Sequence, residues 1–300
     1  MITRFAPSPT GLLHLGHVLA ARFAFDAARA EEGRYLVRIE DIDQTRCRPE
    51  FVDQILRDLA WLGLDSDGPV IRQSERFPLY AEALDRLRDQ HLLYPCFCTR
   101  KEIQAEIARS PSAPQGPDGP LYPGTCRGLS EAQRAAKFAS GAPFAWRLDM
   151  AAATERTLGD LKFLDRDKGW IEARPKLFGD VVLARKESPT SYHLAVTVDD
   201  AAQEITLVTR GEDLAPAAHL HRLLQALLDL PTPDYRFHPL LTDAEGKRLA
   251  KRDGAKTIAS LREQGLSPAE VQAMAIQPNA ARGSAADRPD APRLGGRVGS

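Results

Sequence analysis

Four cysteines in 300 residues are too few for a disulfide scaffold, and the grouping of Cys96, Cys98 and Cys126 points instead to a reducing compartment and a metal. No apolar run approaches the roughly 18–20 residues of a membrane span. Arg4 and the proline-rich loop after it interrupt any apolar leader, so no signal peptide is expected. These absences lead us to expect a cytoplasmic protein with no membrane partner. The net charge is only −1, so bulk electrostatics do not announce a nucleic-acid binder, and the distribution of charge is the better guide. There is no internal repeat, no Gly-x-Gly-x-x-Gly and no Walker loop with its lysine. Large apolar residues are almost missing beyond about Gln277, and residues 276–300 are expected to be a disordered tail.

The content that remains, 43% hydrophobic and 27% charged, is that of a globular chain with volume for one large or two ordinary domains. Ile2 to Phe5 reads as a strand and the alanine-rich stretch after His17 as a helix. Arg34–Glu40 is a second strand, and Pro49 opens a helix carrying Val52, Ile55, Leu56, Leu59 and Leu62 at helical spacing. Another helix covers Tyr80–His91. Such alternation predicts an α/β fold with a parallel sheet. After Tyr94 come a Cys-Phe-Cys turn, a short helix from Thr99, a Pro/Gly/Ser loop over 110–123 and a strand at Phe144–Leu148. Strands are then predicted at Val181–Arg185, His193–Val198 and Glu204–Thr209, a helix at Pro216–Leu230 and a strand at Tyr235–Leu241. The organisation expected is a nucleotide-binding domain of residues 1–93 and 181–256, an insertion over 94–180, a short helical segment over 257–275, and the tail.

The run Arg4-Phe5-Ala6-Pro7-Ser8-Pro9-Thr10-Gly11-Leu12-Leu13-His14-Leu15-Gly16-His17 carries the chemistry. A rigid loop after the first strand, opening onto a helix, is where α/β folds hold phosphates, because backbone N–H groups and the helix dipole favour negative charge there. Two imidazoles stand where a Walker loop has lysine, and they donate hydrogen bonds at neutral pH without a permanent charge. A second cluster, Cys96-x-Cys98 with Tyr122-x-x-x-Cys126, offers three thiolates and a phenol, a set that suits tetrahedral Zn²⁺; His91 is an alternative to Tyr122 as fourth ligand. Cys47 falls outside this pattern. Residues 236–256 hold six basic groups (Arg236, Lys247, Arg248, Lys251, Arg252, Lys256) against three acidic ones, a local excess able to meet phosphates.

The N-terminal run resembles the His-Ile-Gly-His motif of class I aminoacyl-tRNA synthetases, in the long form of the glutamyl/glutaminyl branch. Arg248-Leu249-Ala250-Lys251-Arg252 is similar to the second, Lys-Met-Ser-Lys-Ser motif, with Arg248 for the first lysine and Ala250 without a hydroxyl. The resemblance implies a Rossmann-like catalytic domain with a zinc-bearing insertion. It implies His14, Gly16, His17 and Lys251 at ATP, bound with Mg²⁺, and His14, His17 and Lys251 as the catalytic groups. Arg4, Phe5, Ala6, Pro7, Ser8, Glu40, Tyr192 and Arg210 would line the L-glutamate site. Such a set makes physical sense, since a dicarboxylate needs two cationic partners and its ammonium an acceptor. No role is assigned to Asp199-Asp200, expected to close a strand, or to Glu212-Asp213.

The resemblance to glutamyl-tRNA synthetases covers about residues 1–275, without the helical anticodon-binding domain that follows in them. With the pattern Cys-x-Cys…Tyr-x-x-x-Cys, this is similar to the glutamyl-Q tRNA(Asp) synthetase family, and implies one structural Zn²⁺ held by Cys96, Cys98, Tyr122 and Cys126. It also implies transfer of glutamate to the queuosine base of tRNA(Asp) by a monomeric enzyme. Competing readings are a truncated glutamyl-tRNA synthetase charging a tRNA 3′ end and a catalytically inactive RNA-binding relative. Retention of both histidines and Lys251 speaks against the last.

Overall fold

The computed structural model describes residues 1–108, 114–157, 159, 161–185, 188–241 and 256–280, the last four of these without their side chains. The first third alternates as its hydrophobic pattern predicts, with the short strand β3 in addition: β1 (Ile2–Phe5), α1 (Leu15–Ala30), β2 (Arg34–Ile39), α2 (Pro49–Trp61), β3 (Ile71–Arg72) and α3 (Phe77–Asp89). Helix α1 buries Ala21, Ala24 and Ala28 along one face. Their small side chains let the helix lie close on β1, where the Thr3 hydroxyl donates to the Ala24 carbonyl at 2.8 Å.

The middle third holds β4 (Leu93–Cys96), α4 (Arg100–Ala108), β5 (Gln115–Gly116), β6 (Gly119–Pro120), α5 (Glu131–Ala139), β7 (Ala145–Leu148), α6 (Met150–Arg156), β8 (Lys162–Asp165) and β9 (Gly169–Glu172). The chain then resumes with β10 (Val182–Arg185), α7 (Tyr192–Ala202), β11 (Leu207–Gly211), α8 (Ala217–Leu227), β12 (Asp234–His238), α9 (Ile258–Glu263) and α10 (Pro268–Ala280). Of the tail expected over 276–300, residues 276–280 instead continue helix α10, and residues 281–300 lie outside the described residues.

Strands β1, β2 and β3 pair in parallel, as do β11 and β12. The two groups meet at β1 and β11, where Thr206 N donates to the Ile2 carbonyl at 3.0 Å and its hydroxyl accepts from Ile2 N at 2.8 Å. The chain leaves β1 toward β2 on one side and leaves β11 toward β12 on the other. That is a topological switch point, and it opens a crevice beyond the carboxyl ends of β1 and β11. Strand β8 joins β12 through Tyr235 opposite Asp165, with β9 antiparallel to β8. A separate antiparallel sheet runs β10–β7–β4. It therefore uses strands from both sides of residue 180, while β8 ties residues 162–165 to the parallel sheet.

One expectation is corrected. His193–Val198 is helix α7, not a strand, and Asp199 and Asp200 lie in its last turn. Ser191 caps it, its hydroxyl accepting from Leu194 N at 3.3 Å. Every residue from Leu194 to Asp200 is buried, so no polar face marks the 3.6-residue period, and the β-branched Val-Thr-Val core imitates a strand. The β8–β9 hairpin and helices α5 and α6 were not expected from the sequence, although Ser130 with Gln133 forms a capping box at the start of α5 and Asp149 caps α6.

Candidate active site and metal centre

The loop between β1 and α1 is braced against its neighbours: Glu40 N donates to the Pro7 carbonyl at 3.0 Å and Arg48 N to that of Pro9 at 3.1 Å. His14 caps α1. Its Nδ1 accepts from Gly16 N at 3.1 Å, while His17 Nδ1 accepts from His14 N at 3.1 Å. Both rings use Nδ1 as an acceptor, so each neutral imidazole carries its proton on Nε2. Two N–H donors thus stand at the mouth of a helix N-terminus, with ring centroids 3.9 Å apart. Gly16 leaves room for the His14 ring, since a Cβ there would lie 3.0 Å from His14 Cε1 and 3.2 Å from its Nδ1 and would displace the ring by a few tenths of an ångström.

Lys251, with Arg248, Leu249, Ala250 and Arg252, lies outside the described residues. The ends of that stretch are placed: Leu241 lines the same cavity as the histidines, and Thr257 forms a bridge to His14 while Ile258 N donates to the Leu13 carbonyl at 2.9 Å. Arg236, part of the expected basic excess, faces Asp167 at 3.0 Å.

The crevice at the switch point is a cavity of about 430 Å³ lined by Arg4, Phe5, Ala6, Pro7, Ser8, His14, Gly16, His17, Glu40, Tyr192 and Arg210. These are all the described residues that the sequence singled out for ATP and glutamate, brought together from β1, the loop after it, the first turn of α1, the end of β2, α7 and β11. Sequence reasoning missed Thr209, Gly211, Asp213 and His238 on the same walls. It also missed the groups beneath. Asp200 accepts from Arg4 Nε at 2.9 Å and Nη2 at 3.3 Å, lies 2.9 Å from Arg38 Nη2 and 3.9 Å from Arg210 Nη2. Asp199 accepts from Gln73, Arg76 and the Tyr80 hydroxyl at 2.7–2.8 Å. Arg38 also donates to Glu40 at 3.3 Å.

Burial alone would lift the Asp200 carboxyl, but Arg4, Arg38 and Arg210 hold it down at about 2. Glu40 moves the other way: burial pushes it up, and Arg38, Arg4 and Arg210 pull it back only in part. The connected network sets four guanidinium groups (Arg4, Arg38, Arg76, Arg210) against three carboxylates (Glu40, Asp199, Asp200). One positive charge is left over, and Arg210 Nη2 is buried without a hydrogen-bond partner. A buried unmatched donor on an excess cation is suited to a carboxylate ligand.

A second cluster lies at β4. The thiols of Cys96, Cys98 and Cys126 lie within 4.8 Å of one another. The Tyr122 hydroxyl is 3.4 Å from Cys96 Sγ, 3.5 Å from Cys98 Sγ, and accepts from Cys126 N at 2.9 Å. Zn–S bonds of about 2.3 Å in a tetrahedron need sulfurs about 3.8 Å apart, and Cys98 and Cys126 are 3.4 Å apart. Burial raises the Cys98 thiol to about 12, so the group is poorly suited to carry several thiolates without a cation among them. Arg147 sits 3.8 Å over the Tyr122 ring. The donor set fits a metal ion. His91 is exposed and is not among the grouped ligands. Cys47 is a half-buried free thiol.

Residues 1–276 match the family of class I tRNA synthetases (E and Q), catalytic domain. A glutamyl-Q tRNA(Asp) synthetase from Rhodobacter capsulatus is 52% identical over 277 residues, spanning 91% of this chain and 98% of its own. The chain belongs to the glutamyl-Q tRNA(Asp) synthetase family. A glutamyl-Q tRNA(Asp) synthetase from Deinococcus radiodurans is 44% identical over 271 residues, 90% of this chain and 86% of that one. A glutamate–tRNA ligase from Aquifex aeolicus is 38% identical over 268 residues but is covered over only 54% of its length. Among solved structures, a glutamate tRNA ligase from Elizabethkingia meningosepticum, in complex with its amino acid, superposes with a TM-score of 0.76 at 27% identity, covering 92% of this chain and 60% of that one. The α/β architecture is therefore that of a class I synthetase catalytic domain.

Proposed function

We propose that the chain activates L-glutamate with ATP and transfers the glutamyl group to the queuosine base in the anticodon loop of tRNA(Asp), as a monomeric cytoplasmic enzyme. The observation that carries the reading is a single cavity in which a buried site with one cation in excess, ending in Arg210, adjoins the paired histidines of a phosphate-type loop. The relative from Rhodobacter capsulatus, a glutamyl-Q tRNA(Asp) synthetase by name, is matched over 98% of its length.

Arg4 and Arg210 supply cationic contacts for a dicarboxylate, Glu40 accepts from its ammonium, and Tyr192 and Ser8 complete the wall together with the backbone of Phe5, Ala6 and Pro7. ATP, as its Mg²⁺ complex, lies with its phosphates toward His14 Nε2, His17 Nε2, Gly16 and Lys251. A glutamate carboxylate oxygen attacks the α-phosphorus, the new O–P bond forms as the bond to pyrophosphate breaks, and pyrophosphate leaves with the electron pair. The imidazole donors and Lys251 meet the charge that grows on the departing group, without a covalent enzyme intermediate. A queuosine hydroxyl then attacks the acyl carbon, losing its proton as AMP departs. Cys96, Cys98, Cys126 and Tyr122 would hold Zn²⁺ outside this chemistry; when bound, it cross-links a loop-rich part of the insertion over 94–180.

Activation is tested by glutamate-dependent ATP–pyrophosphate exchange, with glutamine and aspartate as controls. Exchange with glutamate alone is expected, and its slowing in Lys251→Ala with an unchanged melting curve. Equal exchange with glutamine, or an unaffected Lys251→Ala variant, would reject the assigned roles.

A further inference from the structure

Two histidines, His221 buried and His193 partly buried, lie behind Arg210, and adenylate formation makes no use of them. Arg210 Nη1 points to His221 Nδ1 at 2.9 Å. A guanidinium has donors only, so this Nδ1 carries no proton and accepts. His221 is 2% exposed, and burial beside Arg210 keeps it well below the usual histidine range, hence neutral. Its one proton therefore sits on Nε2, which is 3.1 Å from His193 Nδ1. His193 must accept there, and its own Nε2–H faces Asp118 at 3.3 Å. Four side chains, from β11, α8, α7 and the β5–β6 turn, form a hydrogen-bonded chain whose direction is fixed at every link.

The alternative to a neutral imidazole behind an arginine is a carboxylate, which is what Arg4 has in Asp200. A carboxylate orients the guanidinium but also neutralises it. His221 orients Arg210 at Nη1 and leaves its charge intact, while Nη2 remains without a hydrogen-bond partner. We propose that His221 is a positioning residue for recognition of the substrate carboxylate: through the tautomer fixed by His193, it holds Arg210 so that Nη2 faces that group, and it adds no second carboxylate to Asp200, which lies 3.9 Å from Nη2. The inference rests on the reading that glutamate occupies this cavity.

Side-chain amides separate the two ring nitrogens. His221→Asn places its Oδ1 near the position of Nδ1 and keeps an acceptor for Arg210. His221→Gln places its amide at the Nε2 end and reaches His193 instead. His221→Asp keeps the acceptor but adds a negative charge. In glutamate-dependent ATP–pyrophosphate exchange, KM for glutamate is expected to stay within about threefold for Asn and to rise about tenfold for Gln and Asp, the loss of one charge-assisted contact, with kcat nearly unchanged. A fold requirement alone would not order the variants this way. Equal KM values for Asn and Gln would overturn the proposal, as would an Asp variant that binds glutamate as the native enzyme does. Should the variants fail to fold, nitrogen-15 NMR of the histidine-labelled native protein decides: a neutral His221 with its proton on Nε2 is expected, and a proton on Nδ1 contradicts it. Absence of any glutamate-dependent exchange by the native enzyme would reject the glutamate reading itself and leave the tautomer result standing.

Discussion

Asp200 accepts two hydrogen bonds from Arg4, at 2.9 and 3.3 Å, across 196 residues of sequence, and the two side chains are almost wholly buried. Arg38 and Arg210 converge on the same carboxylate. Removing one partner of such a buried group leaves uncompensated charge, at a cost of about 3–5 kcal/mol. Asp200→Asn is therefore expected to lower stability by that amount in denaturant unfolding and to raise KM for glutamate, because Arg4 and Arg210 lose their anchor. A neutral effect on both would show that the arginines are held by other contacts.

Glu40 sets a pH dependence. Only the ionised carboxylate meets the substrate ammonium as an opposite charge, and burial raises its affinity for a proton. KM for glutamate should therefore rise as pH falls, beginning above the roughly 4.3 of an ordinary glutamate side chain. The sign for stability is opposite. A raised folded-state pKa means that the native state holds the proton more tightly, so ionised Glu40 opposes folding above that range, and its cost disappears as pH falls below the unfolded value. Binding should thus weaken over a window in which Glu40 does not itself promote unfolding. Steady-state KM and melting curves across pH check this, and Glu40→Gln should remove the dependence.

Gly16→Ala separates helix stability from chemistry. Alanine is the better helix former by up to about 1 kcal/mol, yet its Cβ would press within 3.0 Å of His14 Cε1 and 3.2 Å of Nδ1. The variant is expected to melt no lower than the native protein while ATP–pyrophosphate exchange slows by about tenfold or more, the worth of one displaced hydrogen-bond donor. Full activity would mean that the His14 ring is not held where catalysis needs it.

Elemental analysis should find about one zinc per chain, lost in Cys96→Ser, since structural zinc sites contribute directly to folding energy. Chelation should lower the melting temperature. A metal-free protein of full stability would remove the metal from the account.

What was legible in the sequence was local. The alanine face of α1 and the apolar spacing after Pro49 announced their helices because one face is buried and the other more exposed, and Ile2–Phe5 announced its strand through β-branched and aromatic residues. Helix α7 was not legible, because burial on all sides erases that contrast. Asp199 and Asp200 carry the charge that holds Arg4, Arg38 and Arg76, but nothing in a string of residues marks a pair separated by more than a hundred positions. The same holds for His221 and His193, whose meaning depends on which nitrogen faces which neighbour. The cysteines were readable because close spacing and chemistry coincide.

The nucleic acid that accepts glutamate decides the assigned reaction most directly. Labelled glutamate and ATP should be supplied to the enzyme with tRNA(Asp) carrying queuosine, with the same tRNA lacking it, and with tRNA(Glu). Label transferred only to the queuosine-containing tRNA(Asp) is the predicted result. Charging of tRNA(Glu), or equal transfer to both forms of tRNA(Asp), would contradict it.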